Sequence, residues 1–175
     1  MLSPMFAPAL MKRFRHLLAL SLAFVAPVLL RAEPVPAALA PAWKLKDVDG
    51  KVVSSEQFKG KVVVLDFWAT WCGPCRMEIP GYVELQKKYG KDGLVIVGVS
   101  LDSDRQAEQT VKTFVQKYGV SYQIVMGDDD VQAAFGGLDA IPTTFIIDRQ
   151  GQIRDRKVGA QPTAVYEQTI LKYLK

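Results

Sequence analysis

The sequence has 175 residues, enough for one domain with an extension, and 49% of them are apolar while 23% are charged. This composition is globular, which excludes a wholly disordered or collagen-like chain. The two cysteines, Cys72 and Cys75, and the single histidine, His16, are too few for a four-ligand zinc site or for a framework of several disulfides.

The net charge of +4 comes entirely from the first 32 residues. Residues 1–32 contain four of the 22 cationic residues and none of the 18 anionic ones, so the rest of the chain is neutral. A basic protein suggests a nucleic-acid or anionic-surface partner, but here the excess charge lies in the leader. We therefore expect no nucleic-acid partner.

The leader has the order of a secretory signal, because basic residues at 12–16 precede 14 uncharged, mostly apolar residues at 17–30. A helix of that length spans about 21 Å, less than the ~30 Å hydrocarbon core of a bilayer. A cleaved signal peptide is favoured on this ground. An uncleaved N-terminal membrane anchor is the alternative, because a cut after Ala32 places Leu30 where a small residue is preferred.

The rest of the chain divides into a Pro/Ala linker at 33–42 and a folded domain at 43–175. The domain begins with a predicted hairpin across Asp49-Gly50. An apolar strand at 61–68 leads to a helix at 73–89, with an expected kink at Pro80-Gly81. The apolar positions of this helix are Met77, Ile79, Val83 and Leu85.

The second half continues the alternation of strand and helix. The patterns predict a strand at 94–101, a helix at 105–118, a weaker strand at 120–125, a short helix capped by Asp130, a hairpin of 143–148 with 152–158, and a closing helix at 163–174. Alternating strands and helices predict an α/β sheet, and the two hairpins make it mixed.

Cys72 and Cys75 stand where the first buried strand passes into a helix. Positions three apart share a helix face, so the two sulfurs can close a disulfide ring. The helix N-terminus stabilises a thiolate at Cys72 and lowers its pKa. A metal site lacks further ligands, and a covalent haem site lacks the required histidine, because Arg76 stands there.

Together, several motifs resemble the thioredoxin superfamily, and within it the periplasmic or membrane-anchored reductases of the TlpA/ResA/CcmG type. The matching pieces are 45–50 (LKDVDG), 58–61 (FKGK), 66–80 (DFWATWCGPCRMEIP), 141–148 (IPTTFIID) and 157–159 (KVG). The resemblance implies a thioredoxin fold: a central mixed sheet flanked by helices, with an N-terminal β-hairpin and an inserted helix-strand segment at about 102–129.

The resemblance also implies roles at the site. Cys72 matches the attacking thiolate and Cys75 the resolving thiol of thiol-disulfide exchange. Asp66 matches the buried acid that moves a proton to or from Cys75. Pro142 matches the cis-proline whose loop, with Ile141, faces the sulfurs and the substrate chain.

The surroundings of the cysteines combine two patterns. Asp66 and the Gly73-Pro74 pair are typical of thioredoxins rather than of the anchored subfamily, which often has Asn in place of the acid. The lysine that neighbours the acid in thioredoxins has no counterpart here, and Gly98 takes its place. Trp71 is expected to form a platform beside the disulfide.

Two acidic features receive structural interpretations. Glu78 is expected to be a solvated helix residue, with a part in proton transfer as the alternative. Residues 128–130 are three aspartates that lack the spaced oxygen ligands of a calcium loop, so a turn and a helix cap are predicted.

The sequence therefore predicts a thiol-disulfide oxidoreductase, most simply a reductase of protein disulfides in the bacterial periplasm. It needs no organic cofactor and no metal, because the cysteine pair is the redox centre. In an oxidising compartment a reductant must be recharged, and the resemblance implies a membrane electron donor of the DsbD/CcdA type, with cytochrome c maturation as a candidate task. We expect a monomer that contacts a membrane only through an uncleaved leader.

Three alternatives remain. An oxidase or isomerase could share the motif, although Gly73-Pro74 is more typical of reductants. A peroxiredoxin needs a Thr and Pro arrangement that Thr70-Trp71-Cys72 does not provide. A copper-binding assembly module needs a distal histidine, and the chain has none after His16.

Overall fold

The computed structural model describes residues 38–175, so the predicted leader and the first half of the predicted linker, residues 33–37, lie outside the described residues. Within 38–175, no helix is both long enough and apolar enough to cross a membrane.

Seven strands form one mixed sheet. They are β1 (Lys44–Asp47), β2 (Val52–Ser54), β3 (Val62–Trp68), β4 (Leu94–Ser100), β5 (Gln123–Met126), β6 (Thr143–Ile147) and β7 (Ile153–Val158). Their order across the sheet is β2-β1-β5-β4-β3-β6-β7. The three central strands β3, β4 and β5 are parallel, and the other pairings are antiparallel. Both predicted hairpins are present at the two edges of this sheet.

Four helices pack on the sheet: α1 (Gly73–Tyr89), α2 (Ala107–Tyr118), α3 (Asp129–Ala134) and α4 (Thr163–Leu174). All seven residues of β3 are buried, and alternate side chains point to opposite faces of the sheet. Val62 and Val64 join the hydrophobic core formed with α1, α2 and α4. Val63, Leu65 and Phe67 join a second core that includes Val131 of α3. By this alternation Asp66 lies on the face covered by α1, α2 and α4.

Three predicted boundaries differ from the structure by two or more residues. The strand predicted at 120–125 begins at Gln123, because Gly119 takes a left-handed conformation (φ 64°) and Val120 then donates its N–H back to Val115. The cap of α3 is Asp128, whose carboxylate accepts the N–H of Val131, and not Asp130. The helix predicted from 105 begins at Ala107.

A short bridge attaches the start of the described chain to β7. Leu39 pairs with Gln152 in antiparallel fashion. Ala40 donates its N–H to the carbonyl of Gly151 at 2.8 Å, and the N–H of Ile153 donates to Ala38 at 2.9 Å. This contact lies at the hairpin end of β6, opposite to the end at which β6 begins.

Candidate active site

The two cysteines lie where β3 ends and α1 begins. Cys72 is the N-cap of α1, with extended backbone angles, and Pro74 occupies the first turn, where its missing N–H costs nothing. The N–H of Cys75 donates to Sγ of Cys72 at 3.2 Å. The sulfur of Cys72 thus accepts a helix N–H that has no carbonyl partner, and it lies at the positive end of the 17-residue helix α1. Both features favour the thiolate form of Cys72.

Cys72 and Cys75 form a disulfide. Cys72 retains 5% exposure and Cys75 only 1%. Cys72 is therefore the more accessible of the two residues to an incoming sulfur.

The loop before β6 closes over the disulfide from the opposite side. The Ile141-Pro142 peptide bond is cis, as the resemblance implied. The carbonyl oxygen of Ile141 lies 3.7 Å from Sγ of Cys72, and the carbonyl of Pro142 accepts the N–H of Gly159 at 2.8 Å. The structure thus brings the carbonyl of Ile141, the residue before the cis-proline, next to Sγ of Cys72.

Two large apolar side chains stand in solvent close in sequence to the disulfide. Trp71 is 69% exposed and Met77 is 72% exposed. Gly73 and Pro74 are exposed between them. The assignment of Met77 to the apolar face of α1 is wrong, because that face is formed by Ile79, Tyr82 and Leu85. The rim of the site is therefore more apolar than the sequence indicated.

Asp66 is 3% exposed, and Oδ1 of its carboxyl accepts a hydrogen bond from the Thr144 hydroxyl at 2.9 Å. Burial raises the pKa of Asp66 to about 8, and the negative charge of Glu78 acts in the same direction. The hydroxyls of Thr144 and Tyr82 oppose that rise. A carboxyl with this pKa can hold or release a proton near neutral pH, which is the property that proton transfer to Cys75 needs.

Glu78 is buried at 6% exposure, so the prediction of a solvated helix glutamate is wrong. Its Oε1 accepts the N–H of Gln161 at 2.7 Å and the hydroxyl of Tyr166 at 2.6 Å. Burial raises the pKa of Glu78, and these two donors offset part of the rise. No local signal around Glu78 indicates these donors, because they come from near the end of the chain.

Hydroxyl groups fill the space between the two acids. The Thr144 hydroxyl lies 3.1 Å from that of Tyr82 and 3.3 Å from that of Tyr166. Burial raises the pKa of both tyrosines, and the charge of Asp66 adds to the rise at Tyr82. These phenols therefore remain protonated at neutral pH and act as hydrogen-bond donors.

A buried aspartate at the end of β4 holds the loop that leads into Cys72. The carboxylate of Asp102 accepts the backbone N–H of Thr70 at 2.9 Å and also accepts the hydroxyls of Thr70 and Ser100. Asp102 was not among the predicted site residues. The sequence feature that could have indicated Asp102 is its position just after the buried strand β4, whose carboxyl end lies beside that of β3, where the cysteine loop begins.

Among residues 38–175, no cluster of three or more His, Cys, Asp or Glu side chains is arranged to hold a metal ion.

Comparisons with known proteins agree with this geometry. The family model described as AhpC/TSA family matches residues 36–156. The chain is 37% identical over 131 residues to the thioredoxin-like protein YneN of Bacillus subtilis, covering 75% of this chain and 76% of that protein. It is 35% identical over 122 residues to the thiol-disulfide oxidoreductase ResA of Bacillus thuringiensis, covering 70% and 69%.

The chain belongs to the AhpC/TSA family. Within this family its relatives are thioredoxin-like thiol-disulfide oxidoreductases, and it is one of them. A solved structure of a thiol:disulfide interchange protein from Chlorobium tepidum superposes with a TM-score of 0.73 at 33% identity, covering 81% of this chain and 99% of that one. The thioredoxin-like fold predicted from the motifs is confirmed.

Proposed function

We propose that this oxidoreductase works as a reductase of disulfides in other proteins. Cys72 is the N-cap of α1 and its sulfur accepts the N–H of Cys75, an arrangement that makes a thiolate available to attack a disulfide. The observation that favours a reductase over an oxidant is the Gly73-Pro74 pair in the first turn of α1, which is typical of reductants.

The reaction proceeds in two exchanges. The Cys72 thiolate attacks a substrate disulfide, one substrate sulfur leaves as a thiolate, and a mixed disulfide forms. The Cys75 thiol then gives its proton to Asp66 and attacks Sγ of Cys72, which releases the second substrate sulfur. The protein is left with the Cys72–Cys75 disulfide, and the substrate has gained two electrons.

Substrate recognition is assigned to the surface around the disulfide. Trp71 and Met77 expose apolar side chains there, and the loop of Ile141 and Pro142 offers backbone groups near Sγ of Cys72. An extended peptide that carries a disulfide fits such a surface, because its main chain can bond to the loop while its side chains contact Trp71.

We infer from the leader that this activity lies in the bacterial periplasm, either free after cleavage or anchored to the inner membrane. Disulfides persist in such a compartment, so the oxidised protein must be reduced again after each cycle. A membrane electron donor of the DsbD/CcdA type is the proposed source of electrons, and cytochrome c maturation is the proposed task.

The experiment that tests the reductase assignment is a measurement of the reduction potential of the full chain in glutathione buffers, with thiol trapping as the readout. We expect a value near about −270 mV, at the thioredoxin end of the scale. A value near about −120 mV would overturn the assignment and make the protein a disulfide-forming oxidant.

A further inference from the structure

A chain of hydroxyl groups joins the two buried carboxyls of the core. Thr144 Oγ1 lies 2.9 Å from Oδ1 of Asp66 and 3.3 Å from the Tyr166 hydroxyl, and that hydroxyl lies 2.6 Å from Oε1 of Glu78. The four groups come from β3, β6, α4 and α1. Elements that are far apart in sequence therefore converge on one row of oxygen atoms, in which the single hydrogen of the Thr144 hydroxyl can be donated either to Asp66 or to Tyr166.

We propose that Thr144 and Tyr166 form a proton relay that carries the proton of Cys75 from Asp66 to Glu78. The proposal deepens the reductase mechanism above and rests on it. Thr144 and Tyr166 are positioning residues in this scheme, because they act on the sulfur only through Asp66.

The proton balance of the relay is complete. Asp66 takes the proton of Cys75 as the Cys72–Cys75 bond forms and the bond from Cys72 to the substrate sulfur breaks. The Thr144 hydroxyl turns from Asp66 towards Tyr166, Asp66 gives a proton to Thr144 Oγ1, Thr144 passes its own hydrogen to the Tyr166 oxygen, and Tyr166 passes its own to Oε1 of Glu78. Each hydroxyl gains one proton and loses one, so the net change is one proton moved from Asp66 to Glu78.

The receiving carboxyl is suited to this part. Oε1 of Glu78 accepts two hydrogen bonds, whereas Oε2 is buried and has no partner in the described part of the chain. An ionised carboxylate with one bare, buried oxygen is poorly stabilised, so Glu78 readily takes a proton.

The surroundings also favour one shared proton. The titratable groups packed around Asp66 and Thr144 are Glu78 and Tyr82 from α1, Tyr122 ahead of β5 and Tyr166 from α4, and none of these is a cation. Two negative charges without a cation are costly in such a site, so one proton is retained between the two acids and its position can alternate.

Ellman's reagent separates the two steps in one stopped-flow experiment on the reduced full chain. The first thionitrobenzoate released reports the attack of Cys72, and the second reports resolution by Cys75. We expect Tyr166→Phe and Thr144→Val each to slow the second release about tenfold or more, because a positioned acid-base path contributes at least that much. The first release should keep the wild-type rate.

The pH profile separates a relay from a purely structural role. Without the relay, Asp66 can take the proton of Cys75 only when it is itself ionised, so the second rate of both variants should rise with pH as Asp66 loses its proton, and Thr144→Ser should restore the wild-type profile. Tyr122→Phe is the matched control, because it removes a hydroxyl from the same core that has no hydrogen bond in the path. It should leave both releases unchanged.

Several outcomes would overturn the relay. These are a wild-type second release in both variants, an equal slowing of both releases, or a failure of Thr144→Ser to restore the profile. The two variants lie on β6 and α4, so if one fails to fold the other still decides. A wild-type chain that reduces no protein disulfide would instead defeat the reductase proposal and leave the two-phase comparison intact.

Discussion

Gly98 on β4 is the register partner of Asp66 on the neighbouring parallel strand β3. A Cβ atom at Gly98 would stand 2.7 Å from Cδ1 of Ile124 and 2.9 Å from Nε1 of Trp68. No side chain of any kind therefore fits beside the acid without moving these two residues. This packing accounts for the absence, at position 98, of the lysine that neighbours the buried acid in thioredoxins.

Gly98→Ala should lower the free energy of unfolding by about 1–3 kcal/mol, the usual cost of forcing extra atoms into a packed core. Urea denaturation of the oxidised protein measures it. The double variant Gly98→Ala with Ile124→Val removes the contact with Cδ1 and should recover part of the loss. Equal stability of Gly98→Ala and the wild type would contradict the packing argument.

Asp66→Asn should change how stability depends on pH. The unfolded chain releases the Asp66 proton near the ordinary aspartate pKa of 3.8, whereas the folded chain holds it to about pH 8. Between these values the folded state binds one more proton, so this group makes the free energy of unfolding fall as pH rises, by up to about 1.4 kcal/mol per pH unit.

The variant lacks this contribution, so its stability relative to the wild type should increase from about pH 4 to about pH 8 and then level off. Urea denaturation across this range measures the difference. Asp104→Asn, at an exposed position, serves as the control and should run parallel to the wild type. A parallel curve for Asp66→Asn would show that the proton of Asp66 does not distinguish the two states.

Glu78→Gln should lower the pKa of Asp66, because the charge of Glu78 is one cause of its elevation. Carboxyl ¹³C shifts of the labelled protein, followed through a pH titration, report the pKa directly. Glu84→Gln lies on the exposed side of the same helix and should leave the titration of Asp66 in place. A titration of Asp66 unmoved by Glu78→Gln would show that the two acids are uncoupled.

Asp102→Ala should loosen the loop before Cys72. It removes the acceptor of three donors, two from Thr70 and one from Ser100. We expect a loss of about 1–3 kcal/mol in the free energy of unfolding and a slower attack of Cys72 on a small disulfide. Ser103→Ala, at an exposed neighbouring position, should change neither quantity. A stable variant with an unchanged Cys72 rate would remove the proposed role of Asp102.

Trp71→Ala should weaken the reaction with protein disulfides and spare the reaction with small ones. An exposed tryptophan at an interface contributes about 1–2 kcal/mol, so KM for a protein substrate should rise roughly tenfold. Steady-state kinetics with both kinds of substrate separate the two effects. Val52→Ala removes exposed apolar surface at the far edge of the sheet and should alter neither reaction. Equal losses on both substrates would indicate damage to the disulfide itself.

The central elements could be predicted because their signals are local. The β-branched run of β3 and the helix signals after Cys72 each lie within one stretch of sequence. The motif at 66–80, which spans the junction between them, allowed the thioredoxin fold to be predicted. The bond from Asp66 to Thr144 was not predicted, because it depends on the register in which two strands distant in sequence, β3 and β6, pair.

The environment of Glu78 could not be predicted in this way. Its helix position places it four residues before Tyr82, on the buried face of α1, but its hydrogen-bond donors Gln161 and Tyr166 lie more than 80 residues later. Only the packing of α4 against α1 brings them together. Met77 shows the converse, because an apolar residue of α1 is left in solvent where the helix borders the disulfide.

The bridge between Leu39 and Gln152 fixes the end of the sheet at which the described chain enters the domain. It holds the chain at the hairpin end of β6, while the cis-proline loop and the disulfide lie at the other end of that strand, about 16 Å away for five residues. Residues 38–40 therefore join the sheet at the end that lies away from the disulfide. A folded protein can approach Cys72 without meeting residues 38–40, because they lie at the opposite end of β6.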